Sequence, residues 1–320
     1  MSQRERSRLV MMTRVREKAM TIKEAAEVMG MSYRQSRRIY KRYREEGDRG
    51  LIHRNRGQLS NRGKDCKVKE AVLCLYREQY WDFGPTLAAE KLIERDGYEV
   101  DHETLRRWLL AAGLWKRQRK RAKHRQRRER KAHFGELVQM DGSHHKWFED
   151  RGEERCLMDM VDDATGNTQA LLSEEETTAA AMKVLWAWVE RYGIPKALYV
   201  DWKNVYVTQR EPTLEEQLAG ELPLTQFGKA CQKLGIEIIT ASSPQAKGRV
   251  ERKHGVYQDR WVKELRLAGI RDIEGANQSL CGFTESLNAK FAVEPRSSAD
   301  FHWPVPQGMD LRSVFCLEEP

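Results

Sequence analysis

The 320-residue sequence predicts an all-α N-terminal part and then an α/β part, in which a mixed five-stranded sheet carries flanking helices. Three observations support this fold class. Two short capped helices joined at a glycine open the chain, and a looser copy of that pattern follows. After residue 134 the predicted elements take the order βββαβαβα, which is typical of a mixed sheet covered by helices.

The first predicted domain spans residues 1–63. Thr21 and Glu24 fit a capping box that begins one helix, Gly30 ends it, and Ser32 begins a second helix. Two short helices joined in this way form a helix-turn-helix pattern, which places its second helix in the major groove of DNA. The alternative is a small bundle with a solvated basic face. The basic residues that would face DNA on the second helix are Arg34, Arg37, Arg38, Lys41 and Arg42.

A basic strip with glycines at both ends follows at residues 50–57. Arg54 and Arg56 in this strip are candidates for the narrow minor groove of DNA, and a plain linker is the alternative.

The second predicted domain spans residues 64–115 and repeats the helical pattern. Pro85 suits the first turn of a helix, and Asp101 caps a later helix on which Arg106 and Arg107 point outward. We interpret this region as a second helix-turn-helix domain, so the DNA site would be long.

The charge is divided sharply along the chain. Residues 1–130 carry a formal charge of +17 and residues 131–320 of −8, which gives the net charge of +9. The predicted linker, residues 116–133, contains 11 Lys and Arg between positions 116 and 131. A basic half indicates a polyanionic partner, and the linker is expected to follow phosphates rather than fold alone.

Composition excludes several classes of protein. The longest apolar run, residues 179–189, is interrupted by Lys183 and is shorter than the roughly 20 residues that cross a bilayer. The N-terminus is charged from Arg4 onward, so it does not resemble a secretory signal. The six cysteines show no C-x-x-C spacing. These features predict a cytoplasmic, nucleoid-associated protein with reduced thiols and no membrane partner.

The α/β domain is predicted at residues 134–292, followed by a tail at 293–320. The predicted strands are 137–141, 155–161, 167–172, 197–201 and 236–240. The predicted helices are 176–192, 225–234, 246–265 and 272–291, and residues 208–223 form an acidic insertion.

Three carboxylates occur at the ends of these elements. Asp141 and Asp201 end two predicted strands, and Glu251 is in the first turns of the long helix. Residues at strand ends meet at one edge of a sheet, where sites commonly form. An all-oxygen donor set suits Mg²⁺ or Mn²⁺, and two such ions can clamp an in-line phosphoryl displacement. One ion would activate the nucleophile, and the other would stabilise the leaving oxygen.

Other residues compete for these roles. Asp162 and Asp163 are acidic as well, but their turn setting favours a role in a hairpin. His144 and His145 are adjacent on a strand and point to opposite faces, so at most one can approach Asp141, and packing is the more plausible role.

Three segments together resemble the catalytic blocks of bacterial insertion-sequence transposases of the DDE, or retroviral-integrase-like, superfamily. They are Met140–Ser143, Tyr199–Asn204 and the stretch SPQAKGRVER at Ser243–Arg252. The resemblance covers roughly residues 10–290 and implies an RNase H-like fold for the catalytic core. It also implies that the protein cleaves and joins DNA strands in a metal-dependent reaction.

By position, the resemblance assigns Asp141, Asp201 and Glu251 as the catalytic and metal-binding triad, with two Mg²⁺ or Mn²⁺ ions. Asn204 matches a polar residue that often follows the second aspartate. Three basic residues near Glu251 would face DNA phosphates: Lys247, Arg249 and Lys253. The implied partner is double-stranded DNA, both element ends and target, bound by a homo-oligomer.

Two other functions stay open at this point. Similar transposases often continue into a small β-rich domain, so the tail suggests a truncated or inactive chain that regulates transposition by binding DNA. A general RNase H-like nuclease is the third hypothesis, although it would not need two sequence-reading domains.

Overall fold

The computed structural model describes residues 1–54, 64–117, 128–219, 223–241 and 247–317. The N-terminal helices are α1 (Gln3–Arg16), α2 (Ile22–Val28) and α3 (Tyr33–Glu46). The Thr21 hydroxyl accepts a hydrogen bond from the Glu24 amide, and the Glu24 carboxylate accepts one from the Thr21 amide. The predicted capping box therefore forms at the start of α2. A small core closes this unit, with Met12, Ala25, Ile39, Tyr43 and Leu51 buried together.

Three further helices form a second helical unit with its own core. They are α4 (Cys66–Gln79), α5 (Pro85–Glu94) and α6 (His102–Ala111). Pro85 occupies the first turn of α5, and Asp101 caps α6 by accepting backbone amides, as the sequence predicted. Tyr76 and Tyr80 are buried between these helices. The boundary between the two helical domains at residues 63 and 64 stays a prediction.

One mixed sheet organises the rest of the chain. Its strands are β1 (Val138–His145), β2 (Arg155–Asp162), β3 (Thr168–Ser173), β4 (Ala197–Val200) and β5 (Glu237–Thr240). Their spatial order is β3-β2-β1-β4-β5. The first three strands are antiparallel neighbours, whereas β4 runs parallel to both β1 and β5.

Helices cover the two faces of the sheet. They are α7 (Thr178–Tyr192), α9 (Gln226–Leu234), α10 (Gly248–Leu267) and α11 (Ile273–Phe291), while the short α8 (Leu214–Ala219) has exposed leucines. One core contains Trp188 of α7 and Phe227 of α9 packed on the sheet. The core on the other face contains Tyr257 and Trp261 of α10. This arrangement confirms the predicted α/β core with its mixed five-stranded sheet.

The segment after α11 packs back on the core. Trp303 pairs with Ile194 through backbone hydrogen bonds in both directions, and Trp188 Nε1 donates to His302 Nε2. A short helix, α12 (Leu311–Val314), buries Val314 in the first core. In the part of the chain that the structure describes, no helix has an apolar stretch long enough to cross a bilayer.

One predicted boundary is wrong. Asp141 does not end β1, because antiparallel pairing with β2 continues from Val138 as far as His145. The apolar pattern predicted a false end because polar residues, beginning at Asp141, replace the apolar ones there. These residues stay in the strand because the β2 ladder supplies their backbone hydrogen bonds.

Candidate active site and DNA-binding surface

Two aspartates lie side by side where β1 and β4 run parallel. Asp141 is the fourth residue of β1, and Asp201 directly follows β4. The parallel register pairs Gln139 with Tyr199, and two further steps along both chains reach Asp141 and Asp201. The sheet therefore brings together two carboxylates that are distant in the sequence.

A buried lysine joins this pair. Lys247 Nζ lies 3.0 Å from Asp141 Oδ1 and 3.0 Å from Asp201 Oδ1, while only 3% of its side chain is exposed. The two carboxylate oxygens are therefore no farther apart than twice that distance. Among the described residues, Nζ finds no hydrogen bond of good geometry in addition to these ion pairs. Two carboxylates thus share one ammonium group as their ion-pair partner.

The third predicted carboxylate is on the helix that follows this lysine. Glu251 comes four residues after Lys247, in the first turn of α10, so both side chains leave the same side of the helix. The side chain of Glu251 is exposed, as is that of Asn204. Within the described ranges, the one group of potential ligand atoms lying within 4.8 Å of one another is His144, Cys156 and Glu176, and it does not include these three carboxylates.

The basic residues around Glu251 lie against the core in this structure, and their contact with DNA phosphates stays a prediction. Lys247 is buried against the aspartates, and Arg249 Nε donates to Asp163 Oδ1 at 2.6 Å. Lys253 is buried, and burial lowers its pKa although the charge of Asp159 opposes this. The reason is that this side of α10 packs on the sheet.

Behind Asp141 lies a buried polar cluster that the sequence analysis missed. Asp159 is the β2 partner of Asp141 and accepts a hydrogen bond from the Thr168 hydroxyl. His254 Nε2 lies 4.0 Å from Asp159 Oδ2. Burial raises the pKa of Asp159 well above its usual value and lowers that of His254 to about 4. The one available signal was an aspartate inside an otherwise apolar strand.

Glu176 approaches Asp141 from the segment before α7. Lys203 Nζ lies 2.6 Å from Glu176 Oε2 and 3.8 Å from Asp141 Oδ1. The Tyr206 hydroxyl donates to Glu176 Oε1 at 3.0 Å. A Cβ atom on Gly142 would come within 2.6 Å of Glu176 Oε2, so the glycine is what lets this carboxylate approach β1.

A histidine, a thiol and a carboxylate form a second cluster beside this glycine. Potential ligand atoms of His144, Cys156 and Glu176 lie within 4.8 Å of one another. Burial, with the charge of Glu176, raises the pKa of Cys156 to about 12, so the thiol keeps its proton. His145 instead packs against Trp147, with ring centroids 5.2 Å apart.

The two competing aspartates have structural roles, as their turn setting predicted. Asp162 accepts the amide and hydroxyl of Thr165 within the β2–β3 turn. Asp163 is fully buried and accepts Gln139 Nε2 from β1 and Arg249 Nε from α10. It also accepts the backbone amide of residue 131 and a guanidinium hydrogen bond from Arg128, so the end of the basic linker is anchored here.

The predicted DNA-facing residues of the helical units differ in their surroundings. Of the five basic residues predicted to face DNA on α3, Arg42 is half-buried. The other four are exposed: Arg34, Arg37, Arg38 and Lys41. Arg54 pairs with Glu46 at 3.2 Å, and Arg106 makes two hydrogen bonds with Glu103, which Arg107 also contacts. Arg56 and linker residues 118–127 lie outside the described residues.

Comparison with known proteins identifies the family. A protein of Sinorhizobium fredii assigned as a transposase, y4bF, is 41% identical over 321 residues, which cover 100% of this chain and 69% of that protein. The chain belongs to the insertion-sequence transposases. The transposase for insertion sequence IS1202 of Streptococcus pneumoniae is 30% identical over 91% of this chain and 69% of its own length.

The N-terminal part of the transposase matches a second family. A model described as a winged helix-turn helix matches residues 8–70, which include most of α1, all of α2 and α3, and the start of α4. The predicted helix-turn-helix at the start of the chain is confirmed, and the transposase is a DNA-binding protein.

Two solved structures resemble the transposase at a low level. A chain of the simian T-cell lymphotropic virus intasome matches 74% of this chain and 79% of its own, with 17% identity and a TM-score of 0.41. The HTLV-2 integrase catalytic core domain in complex with magnesium matches 46% of this chain and 82% of its own, with 19% identity and a TM-score of 0.34.

Proposed function

We propose that Asp141, Asp201 and Glu251 are the catalytic carboxylates of this transposase and hold two divalent cations, Mg²⁺ or Mn²⁺. In this proposal the protein cleaves DNA at the ends of a mobile element and joins them to a target. The convergence of Asp141 Oδ1 and Asp201 Oδ1 on one cationic atom, at 3.0 Å each, carries the proposal. Glu251, four residues after Lys247, supplies a third carboxylate.

The donor set fits such ions. Carboxylate oxygens are the hard ligands that Mg²⁺ prefers, and Mg²⁺ retains water and binds phosphate oxygens. The ammonium of Lys247 stands where positive charge is most stabilised by both aspartates, which makes it a stand-in for a bound cation. The side of the proposed metal site that faces Glu251 is open, because the Glu251 side chain is exposed to solvent and to an approaching DNA strand.

The protein's own residues have distinct tasks in this reaction. Asp141 and Asp201 fix the position of the cations, which polarise phosphate oxygens when bound. Gln139 Oε1 accepts the amide of Val250 at 3.2 Å, so the first turn of α10, with Glu251, is held against β1. Water first attacks a phosphodiester, which releases a 3′-hydroxyl. That hydroxyl then attacks the target strand and displaces another 3′-oxygen, so no covalent link to protein forms.

The helix-turn-helix units supply the proposed recognition of terminal inverted repeats. The exposed basic side chains of α3 would contact phosphates and base edges, and the strip with Arg54 and Arg56 would follow the minor groove. Arg106 and Arg107 would do the same in the second unit after release from Glu103. Because two element ends must be joined together, we expect a homo-oligomer on DNA.

Conservative variants of the carboxylates test the catalytic assignment. Asp141→Asn and Glu251→Gln should each reduce Mn²⁺-dependent nicking of a duplex with the element end by about 10²–10³-fold or more. Binding of the same duplex in Ca²⁺ should be unchanged. Asp150→Asn is the matched control, because Asp150 is exposed and outside the site. Full nicking by either variant would refute the assignment, and cleavage absent from the wild type would favour a DNA-binding regulator.

A further inference from the structure

The position of Lys247 has a consequence for how metal enters the site. Its ammonium and a divalent cation would need the same two oxygens, Asp141 Oδ1 and Asp201 Oδ1. Mg²⁺ requires its oxygen ligands at about 2.1 Å, and a positive charge held beside those oxygens would repel it. The two cations therefore compete for one position.

We propose that Lys247 is a displaceable counter-ion, which holds Asp141 and Asp201 together before metal binds and is expelled when metal enters. This inference rests on the proposed metal site. Without a cation, two adjacent carboxylates repel each other, and like charges at this separation favour protonation or separation of the pair. One buried ammonium at 3.0 Å from each neutralises half of that charge and preserves the geometry.

The local backbone allows the lysine to leave. Lys247 precedes α10 at its N-cap position, and its side chain makes no capping hydrogen bond, so its departure costs the helix no cap. Among the residues that the structure describes, no atom lies within 4 Å of the position of a Cβ atom on Gly248. A lysine carries its charge on a flexible four-carbon stem, so the ammonium can move while the backbone stays in place.

The second lysine near Asp141 is held differently and is not the displaced group. Lys203 Nζ is 2.6 Å from Glu176 Oε2 but 3.8 Å from Asp141 Oδ1, so its main partner is Glu176. Because Glu176 is not one of the proposed metal ligands, Lys203 keeps its main partner when metal enters.

Amine labelling of the wild-type protein tests the displacement directly. In metal-free buffer the Lys247 amine should react slowly with an acylating reagent, because 3% of its side chain is exposed. Saturating Mn²⁺ should raise its labelling rate, read by mass spectrometry, by about tenfold or more. Lys146, which is exposed, is the internal reference and should not change. An unchanged Lys247 rate at saturating Mn²⁺, or a fast rate without metal, would overturn the proposal.

Direct titration with Mn²⁺ gives a second, independent measurement. Lys247→Met should bind Mn²⁺ about tenfold more tightly than the wild type, because no resident charge must be expelled. Lys247→Arg keeps the charge and should not bind more tightly. Lys183→Met, an equal charge change at an exposed position on α7, should match the wild type. Each variant is first shown to be folded by circular dichroism.

One further variant separates this inference from the proposed function. Asp201→Asn should lose Mn²⁺ binding if the metal site is correct. If Asp201→Asn binds Mn²⁺ as the wild type does, the metal site itself is wrong. If that variant loses binding but Lys247→Met gains no affinity and Lys247 labelling is flat, the metal site stands and the counter-ion role is refuted.

Discussion

Arg249 Nε donates a 2.6 Å hydrogen bond to Asp163 Oδ1, which joins the first turn of α10 to the end of β2. Asp163 is fully buried and also accepts Gln139 Nε2 from β1 at 3.0 Å. Since Glu251 is two residues beyond Arg249, this contact fixes the helical turn that carries the proposed third carboxylate. Asp163 thus acts on the site through other residues rather than by touching DNA.

Replacement of this aspartate should weaken the fold and the site together. Asp163→Asn removes the charge that faces Arg249 and Arg128, and we expect the free energy of unfolding to fall by about 2–3 kcal/mol. Urea denaturation measures this change. Asp150→Asn, at an exposed position, should leave it unaltered. Equal stability of the two variants would show that the buried contacts contribute little.

A methyl group at position 142 should be poorly tolerated. Gly142→Ala would place Cβ 2.6 Å from Glu176 Oε2 and 2.9 Å from Cys156 Sγ. We expect a loss of about 1–3 kcal/mol in unfolding free energy, because the strand or the carboxylate must shift. The matched control is Gly282→Ala within α11, where no atom of the described part of the chain lies within 4 Å of the new Cβ.

The two glycine variants should change the free energy of unfolding in different directions. Alanine in a helix interior is favoured over glycine by about 1 kcal/mol, so Gly282→Ala should stabilise the protein or leave it unchanged. Thermal unfolding of both variants and the wild type measures the difference. If Gly142→Ala unfolds at the same temperature as the wild type, the approach of Glu176 to β1 is less close than the structure shows.

The sequence predicted the elements well, because their signals are local. The helix predicted at 272–291 is α11, Ile273–Phe291, and the one at 225–234 is α9, Gln226–Leu234. Caps, glycines and apolar spacing determine such boundaries over a few residues. The sequence analysis expected Asp141 and Asp201 to be close because strand ends meet at one edge of a sheet. In the structure their proximity depends on the parallel pairing of β1 and β4, which no local pattern predicted.

The directions of charged side chains were not predictable in the same way. Lys247 and Arg249 surround Glu251 in a run that looks like a solvated basic surface. Lys247 nevertheless pairs with the partly exposed Asp141 and Asp201, and Arg249 pairs with the fully buried Asp163. Their partners come from distant elements, so no local pattern records the contact. Glu176 was missed for the same reason, since its role depends on Lys203 and on the space above Gly142.

The second helical unit is joined to the catalytic core by ion pairs. Glu90 of α5 accepts hydrogen bonds from Arg260 of α10, the shorter at 2.7 Å, and its carboxylate lies 2.5 Å from Lys290 Nζ of α11. Lys91 Nζ lies 2.5 Å from Glu264 Oε1. These contacts hold the unit on the far end of the helix that begins at the proposed site.

This docking should depend on pH through Glu90. Burial raises the pKa of Glu90, but hydrogen bonds from Arg260 and Lys290 outweigh it and hold the pKa below the ordinary 4.5. The folded-state pKa is therefore depressed, so the stabilisation is complete at neutral pH and is lost as pH falls through that pKa. Glu90→Gln should cost about 1–2 kcal/mol at pH 7, and the difference from wild type should shrink below pH 4.5 and vanish only below the depressed folded-state pKa.

Urea denaturation of wild type and Glu90→Gln at several pH values measures that dependence. Glu99→Gln is the control, because Glu99 is exposed in the same unit. Hydrogen exchange of α5 should also quicken in Glu90→Gln if the ion pairs hold the unit on the core. A difference that persists unchanged below pH 4 would assign the effect to packing rather than to the carboxylate charge.

The basic face of α3 should determine how DNA binding responds to salt. Arg37 and Arg38 are exposed on α3, where the matched helix-turn-helix would meet DNA. Each phosphate contact contributes about 0.9 to the slope of log K against log salt, so Arg37→Ala and Arg38→Ala should each lower that slope by about one. Fluorescence anisotropy with a labelled terminal repeat measures it between 50 and 200 mM salt, roughly the range over which such slopes are resolved. Arg271→Ala, at an exposed position between α10 and α11, should leave the slope unchanged. If Arg37→Ala and Arg38→Ala also keep the wild-type slope, the DNA binds to another surface.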